Sequence, residues 1–323
     1  MDFKFHFALY FLITQTAQAS LPPFKAEKLI EKSPLSSTVI VAVIDTGVDT
    51  THPELKDHIW FNQGEIGLDS KGQDKSKNNM DDDGNGYVDD FQGWNFSENN
   101  NQVQDALGHG THVSGIIIKE SMKGSEITSR TWTTSVRLMT LKYYNPKASS
   151  QVNITNTAKA IAYATKMGAQ IINYSGGGSD KSSIESSAIE AAQNQGVIFV
   201  AAAGNEGSNI DAAHYYPANY GFKNILSVAA VDQRKKITKF SNYGINSVDL
   251  AANGQMVYST LPGGKYGFMS GTSQATAKVS GLISRFIATH PDLKTVATKI
   301  SAFINSQPQT QELKGKTKYQ VAL

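Results

Sequence analysis

Cysteine is absent from this chain of 323 residues. Its absence removes a thiol nucleophile, a thiolate zinc site, a disulfide framework and a lipidated N-terminal cysteine. An excess of one charge is also missing: 30 Lys and Arg stand against 28 Asp and Glu, for a formal net charge of +2. No overall field therefore points to nucleic acid or an anionic membrane as a partner. The basic triplet at Arg234, Lys235 and Lys236 is short and reads as a solvated turn. No apolar run has the length that a bilayer-spanning helix needs.

The N-terminus carries a different signal. In "MDFKFHFALYFLITQTAQAS" a lysine at position 4 precedes an apolar run centred on Phe7 to Ile13, followed by the small-x-small pattern Ala17-Gln18-Ala19. This pattern predicts an export signal over residues 1–19, cut after Ala19. An apolar N-terminal strand or anchor is the alternative. The protein is then expected outside the cytoplasm, extracellular or periplasmic, with no stable membrane association once the signal is removed. A polar lead of residues 20–38 follows, and one domain is expected over 39–323.

Within that domain, short apolar runs alternate with segments of helical period. "VIVAVID" (39–45), "VRLMTLK" (136–142), "AQIINYS" (169–175), "GVIFVAAAG" (196–204) and "ILSVAAVD" (225–232) are apolar on both faces. Such runs suit strands of a parallel sheet covered on both sides. Between them, 155–168 and 182–196 place apolar residues three and four apart and end in glycine, as amphipathic helices do. The alternation predicts an α/β fold with right-handed crossovers. The polar tract from Asp69 to Asn101 reads as a long loop inserted in it.

Sites in open parallel sheets form beyond the carboxyl ends of the strands. Asp45 closes the first strand and is followed by Thr46-Gly47; alone, a strand-terminal Asp is more often a turn former or helix cap than a catalytic group. His109 opens "HGTHVSG", where Gly110 and Gly115 allow another backbone close by. Asn205 follows the buried run ending "AAAG". Ser273, in "SGTSQATAKVSG", begins a segment with Ala275, Val279, Leu282, Ile283 and Phe286 at helical spacing. By itself Ser273 reads more readily as a helix cap than as a nucleophile. His112, three residues from His109, lacks the His-Glu-x-x-His pattern of a zinc protease and reads as a packed helix residue.

Taken in order, "VIDTGVD", "GHGTHVSG", "AAAGNEG" and "SGTSQATAKVSG" resemble the active-site blocks of the subtilisin-like serine proteases, and the resemblance runs from about Val39 to the last helix. It implies a subtilisin-like fold, mainly parallel sheet with helices on both faces. It also implies an endopeptidase with Ser273 as nucleophile, His109 as base, Asp45 as orienting acid and Asn205 as oxyanion donor. Activity is expected to fail as His109 protonates, near the ordinary imidazole value of about 6.5 if nothing shifts it. The partner is a polypeptide substrate, held as an added strand along a cleft lined by Ser175, Gly176, Gly177 and Gly204. A monomer is expected.

"DDDGNGYVDDFQ" (81–92) fits the first part of a calcium loop. Asp81, Asp83, Asn85, the Tyr87 carbonyl and Asp89 are the expected ligands of a structural Ca2+. A solvated acidic loop is the alternative.

The chain departs from the family pattern in several places. Gly176 stands where many relatives have a bulky apolar residue, and Tyr215 is expected at the floor of the main pocket, which implies altered selectivity. Gln274 replaces the oxidisable methionine beside the nucleophile, so mild peroxide is expected to spare activity. Lys278 needs an acidic partner or a path outward if buried. Only Ser20 to Thr38 separates the signal from the first strand, where secreted relatives usually carry a long propeptide. The rival expectation is a pseudoprotease that binds peptides without cutting them.

Overall fold

The computed structural model describes residues 38–122 and 136–323. The expected signal and all of the lead except Thr38 lie outside the described residues. Seven parallel strands form the central sheet: β1 Val39–Asp45, β2 Gly93–Asn95, β3 Val136–Lys142, β4 Ile171–Tyr174, β5 Ile198–Ala202, β6 Ile225–Val231 and β7 Leu250–Asn253. Their order is β2-β3-β1-β4-β5-β6-β7. The chain leaves β1 toward β2 and β3 on one side and returns to β4 on the other. β1 and β4 therefore flank a topological switch point, where ligand crevices open in sheets of this kind.

Alternation along the strands decides what faces what. Val39, Val41 and Val43 of β1 join one core, with Ile171, Ile198 and Val200. Against it lie helix α1 (His109–Met122), through Val113, Ile116 and Ile117, and helix α4 (Thr272–Thr289), through Ala275, Val279 and Ile283. Ala42 and Ile44 turn to the other face, packed with Ala160, Ile161 and Ala164 of α2 (Ser150–Lys166) and Ile189 and Ala192 of α3 (Ser183–Asn194). Asp45 has the parity of Val43 and so reaches the end of the sheet on the α1/α4 side.

Close approach fixes the two central helices. A Cβ on Gly281 of α4 would lie 2.5 Å from the Ile117 carbonyl oxygen of α1. Each residue stands eight positions beyond the residue of interest at the start of its helix, Ser273 or His109. Both helices start at the carboxyl rim of the sheet and run back along it, so their first turns are level, about 12 Å from that contact. A hairpin, β8 (Val257–Leu261) and β9 (Lys265–Met269), covers the outside of α1. Its Ser259 and Thr260 hydroxyls donate to the His112 and Thr111 carbonyls at 2.8 and 2.7 Å, across the surface that Gly115 leaves bare. A last helix, α5, spans Val296–Asn305.

The tract Asp69–Asn101 is mostly turns, as expected, but it also contains β2, whose Trp94 is buried against the α2 side.

Candidate active site

Asp45 and His109 meet directly. His109 Nδ1 lies 2.7 Å from Asp45 Oδ1, and both side chains are buried. Asp45 Oδ1 also accepts the Thr46 N–H at 2.8 Å, while Oδ2 is buried without a hydrogen-bond partner among the described residues. Gly110 makes the approach feasible, since any Cβ there would strike the Gly47 carbonyl and crowd Asp45. Burial alone pulls the His109 imidazole down. The charge and hydrogen bond of Asp45, with a further contribution from Asp105, outweigh it and hold His109 above the ordinary imidazole value.

Asp105 lies outside the sequence blocks that carry the family resemblance. It is buried and accepts five hydrogen bonds: from Thr46 Oγ1, the Leu107 and Gly108 N–H groups, and the N–H and hydroxyl of Thr111, at 2.7–2.9 Å. Thr46 Oγ1 in turn accepts the Gly110 N–H at 3.0 Å. One carboxylate thus ties the strand end carrying Asp45 to the first turn of the helix carrying His109.

Ser273 is not the helix cap. Gly271 holds the cap position of α4 and Ser273 is the second helical residue. Its hydroxyl donates to the Ser175 carbonyl at 3.0 Å, and the Ser175 hydroxyl donates to the Ser273 carbonyl at 3.2 Å. The cap comes from another segment: Asn205 Oδ1 accepts the Thr272 N–H at 2.8 Å and the Thr272 hydroxyl at 3.1 Å. That pairing fixes the sense of the amide and leaves Nδ2 as the end that donates elsewhere. The unsatisfied N–H groups of the first turn add a positive end to the same place.

The expected cleft residues lie on either side of Ser273. Ser175 to Gly177 follow β4 and Gly204 follows β5, with the Gly204 N–H donating to Thr272 Oγ1 at 3.3 Å. Gly178 pairs with Tyr216 through two backbone hydrogen bonds of 2.9 and 2.7 Å. His112 is packed, as its context suggests. Its Nε2 lies 3.1 and 3.2 Å from the Val257 and Gly267 carbonyls, and burial, followed by the proximity of His109, pushes its pKa down to about 4. Gln274 is buried, but its amide faces the Met269 sulfur at 4.0 Å. A thioether thus lies close to the site from β9, and the expected resistance to peroxide depends on Met269 as well as on position 274. Lys278 is half-buried on α4.

In the acidic loop the carboxylates that converge are not the expected three. Asp89 turns away, with its carboxylate accepting the Asn79 N–H at 3.2 and 3.1 Å. Asp81 is taken up by the Asn85 and Gly86 N–H groups, and the Asn85 side chain donates to Asp83, Asp90 and the Met167 sulfur. Tyr87 is in edge contact with Trp94, Phe96 and Tyr163. Of the three expected carboxylate ligands, Asp81, Asp83 and Asp89, only Asp83 joins the carboxylate group that converges, with Glu65 and Asp90, within 4.8 Å. Asp81 and Asp89 are engaged by backbone N–H groups, while Glu65 and Asp90 are buried beside Asp83. Glu65 is fully buried. Its Oε1 accepts the Asp82 and Asp83 N–H groups, and among the described residues Oε2 has no hydrogen-bond partner. Burial, reinforced by the charges of Asp90 and Asp83, raises its pKa to about 7. The Asn62 amide donates to Asp83 and Asp90 at 2.9 and 2.7 Å, and among the described residues no Lys or Arg pairs with any of the three carboxylates. Three crowded carboxyl groups with a buried, unsatisfied oxygen fit a hard divalent cation.

The sequence model of the subtilase family matches residues 36–317. The chain belongs to the subtilase family. This subtilase is 34% identical over 247 residues to a thermophilic serine proteinase of Bacillus sp. (strain AK1), covering 76% of this chain and 51% of that protein. It is 33% identical over 242 residues to thermitase of Thermoactinomyces vulgaris, covering 75% of this chain and 72% of that one. The subtilase thus spans about half the length of the first of these relatives and nearly three-quarters of the second. Its fold is that of the epidermin leader peptide processing serine protease of Staphylococcus aureus, with a TM-score of 0.65 at 23% identity over 88% of this chain and 73% of that one.

Proposed function

We propose that this subtilase is an exported serine endopeptidase that hydrolyses peptide bonds through Asp45, His109 and Ser273, with Asn205 as oxyanion donor. The observation that carries this reading is the buried 2.7 Å contact between Asp45 and His109 at the rim where the first turn of α4 presents Ser273. Membership of a protease family supports it.

A polypeptide lies as an added strand beside Ser175–Gly177. Ser273 Oγ leaves the Ser175 carbonyl, gives its proton to His109 Nε2 and bonds to the scissile carbonyl carbon. The carbonyl oxygen takes the negative charge and accepts from Asn205 Nδ2 and the Ser273 N–H. Asp45 keeps the imidazole in the tautomer that accepts at Nε2 and stabilises the imidazolium as it forms. His109 then protonates the leaving amine as the C–N bond breaks, leaving an ester on Ser273. Water gives a proton to His109 and attacks the ester. Collapse of that second intermediate releases the acid and returns the proton to Ser273 Oγ.

The site of action outside the cytoplasm rests on the N-terminal residues 1–19. Among the described residues no helix is long and apolar enough to cross a membrane. A monomer acting on polypeptides is the working unit. Glu65, Asp83 and Asp90 would hold a structural Ca2+, whose charge offsets theirs; the hydrolytic steps do not involve it.

Labelling with a fluorophosphonate probe tests the proposal. The wild type is expected to be labelled at Ser273 and Ser273→Ala to remain unlabelled. A correctly folded wild type that resists the probe contradicts the proposal and favours a peptide-binding protein without hydrolytic activity.

A further inference from the structure

Ser273 stands at the mouth of a gap between the ends of two neighbouring parallel strands. Ser175 follows β4 on one side and exchanges hydrogen bonds with Ser273. Gly204 and Asn205 follow β5 on the other and bond to Thr272. A polypeptide whose carbonyl carbon meets Ser273 Oγ, with its oxygen toward Asn205, directs the side chain of that same residue into the gap.

The ring of Tyr215 lies across this gap. A Cβ on Gly177 would come 2.5 Å from Tyr215 Cε1, and a Cβ on Gly204 would come 2.9 Å from Cε2. The two edges of one ring thus press on the two walls, and both wall positions are glycines with positive φ, 154° and 99°. The ring is anchored from behind: the Tyr215 N–H donates to Asn219 Oδ1 at 2.9 Å, and the next residue is pinned to Gly178 by paired backbone hydrogen bonds. Burial, then the Glu206 carboxylate, keeps the Tyr215 phenol neutral, well above the ordinary tyrosine value. The small size of Gly176 opens no room either, because the Tyr143 hydroxyl occupies the space where a Cβ would stand.

We propose that Tyr215 sets the specificity of this site by filling the pocket for the residue whose carbonyl is attacked, so that the substrates are polypeptides with Gly, Ala or Ser at that residue. This deepens the hydrolytic reading and rests on it. A ring that spans the pocket shares its volume with any large side chain, whereas a methyl or hydroxymethyl group needs only the entrance. Adding one methylene to an already full pocket shifts selectivity by roughly 10- to 200-fold, and a phenyl group is far larger.

The test compares kcat/KM for two peptide p-nitroanilides that differ only in Ala or Phe at this residue, alongside fluorophosphonate labelling. The wild type is expected to favour Ala by about a hundredfold or more. In Tyr215→Ala the Ala-to-Phe ratio falls at least about tenfold, and in Tyr215→Phe, which keeps the ring, the wild-type ratio persists. A labelled wild type that prefers Phe, or a labelled Tyr215→Ala with an unchanged ratio, overturns the pocket assignment and leaves hydrolysis standing. A folded wild type that is not labelled overturns the hydrolytic reading and this inference with it. If Tyr215→Ala does not fold, the wild-type ratio decides, and a preference for Phe is the contradicting result.

Discussion

Asp105 accepts the hydroxyl of Thr46 at 2.9 Å, and through it joins the loop before α1 to the end of β1. Asp45 and His109 are the neighbours of that link on either side, so Asp105 acts as a positioning residue. Its charge also helps hold His109 above the ordinary imidazole value. On the proposed mechanism His109 must be neutral to take the Ser273 proton, so activity is expected to be lost as pH falls through the His109 pKa. The acid limb of kcat/KM in the wild type therefore lies above the ordinary imidazole value of about 6.5. Of the charged and titratable groups around His109, Asp45 and Asp105 favour its protonated form, and His112 is neutral at neutral pH. Asp105→Asn is expected to move the acid limb to lower pH and to reduce kcat. It also leaves the Thr111 N–H and hydroxyl facing an amide NH2, at a cost of about 1–3 kcal/mol in stability. A purely structural role would lower the melting temperature without moving the pH limb.

Asn205→Ala removes the cap on Thr272 and, on the proposed mechanism, the oxyanion donor with it. Turnover is expected to fall roughly a hundredfold to a thousandfold, the magnitude associated with the equivalent donor of subtilisin, with KM little changed. A large rise in KM at constant kcat would assign the amide to ground-state binding instead.

Calcium is expected to raise the melting temperature of the wild type, and chelator to lower it. At a concentration about a hundredfold above the dissociation constant the gain is about 2.7 kcal/mol. Glu65→Gln keeps the size of the side chain and removes a ligand charge, so its melting temperature should respond little to calcium. An equal calcium response in wild type and Glu65→Gln would place the ion elsewhere.

Glu185 is buried in the first turn of α3, where its Oε2 lies 2.8 Å from the Tyr220 hydroxyl, and burial raises its pKa from 4.5 to about 7. The folded state thus keeps a proton that the unfolded chain loses earlier. Between pH 4.5 and about 7 the native state binds more protons, so stability falls as pH rises, by about 3 kcal/mol in total for this group. Denaturant titrations at pH 5 and pH 8 should show a smaller difference for Glu185→Gln than for the wild type. Equal differences would show that Glu185 ionises alike in both states.

The parts of the site legible in the sequence are those attached to regular elements. Asp45, Asn205 and Ser273 stand where an apolar run ends or a helical period begins, and His109 opens a helix whose glycines declare close packing. The missed parts depend on contacts between distant segments. Asp105 stands four residues before His109 and could have been suspected as a cap for that helix, but its bond to Thr46 exists only once β1 and α1 are docked. Glu65 gives no ligand signal in its own segment and becomes a candidate only through burial beside Asp83 and Asp90, while the carboxylate of Asp89, which fits a calcium-loop spacing, accepts the Asn79 N–H. The hairpin β8–β9 is not among the expected elements, although Pro262-Gly263-Gly264 separates two strand-like runs. Its packing over α1 and the approach of Met269 to Gln274 are contacts between distant segments.

The central claim is that Asp45, His109 and Ser273 work as one unit, and a double-mutant comparison tests it most directly. kcat is measured for His109→Ala, Ser273→Ala and the pair, with folding checked by circular dichroism. Each single change is expected to cost on the order of a millionfold, and the double change to cost no more than either alone. Single variants that retain substantial turnover, or losses that multiply in the double variant, would contradict the account.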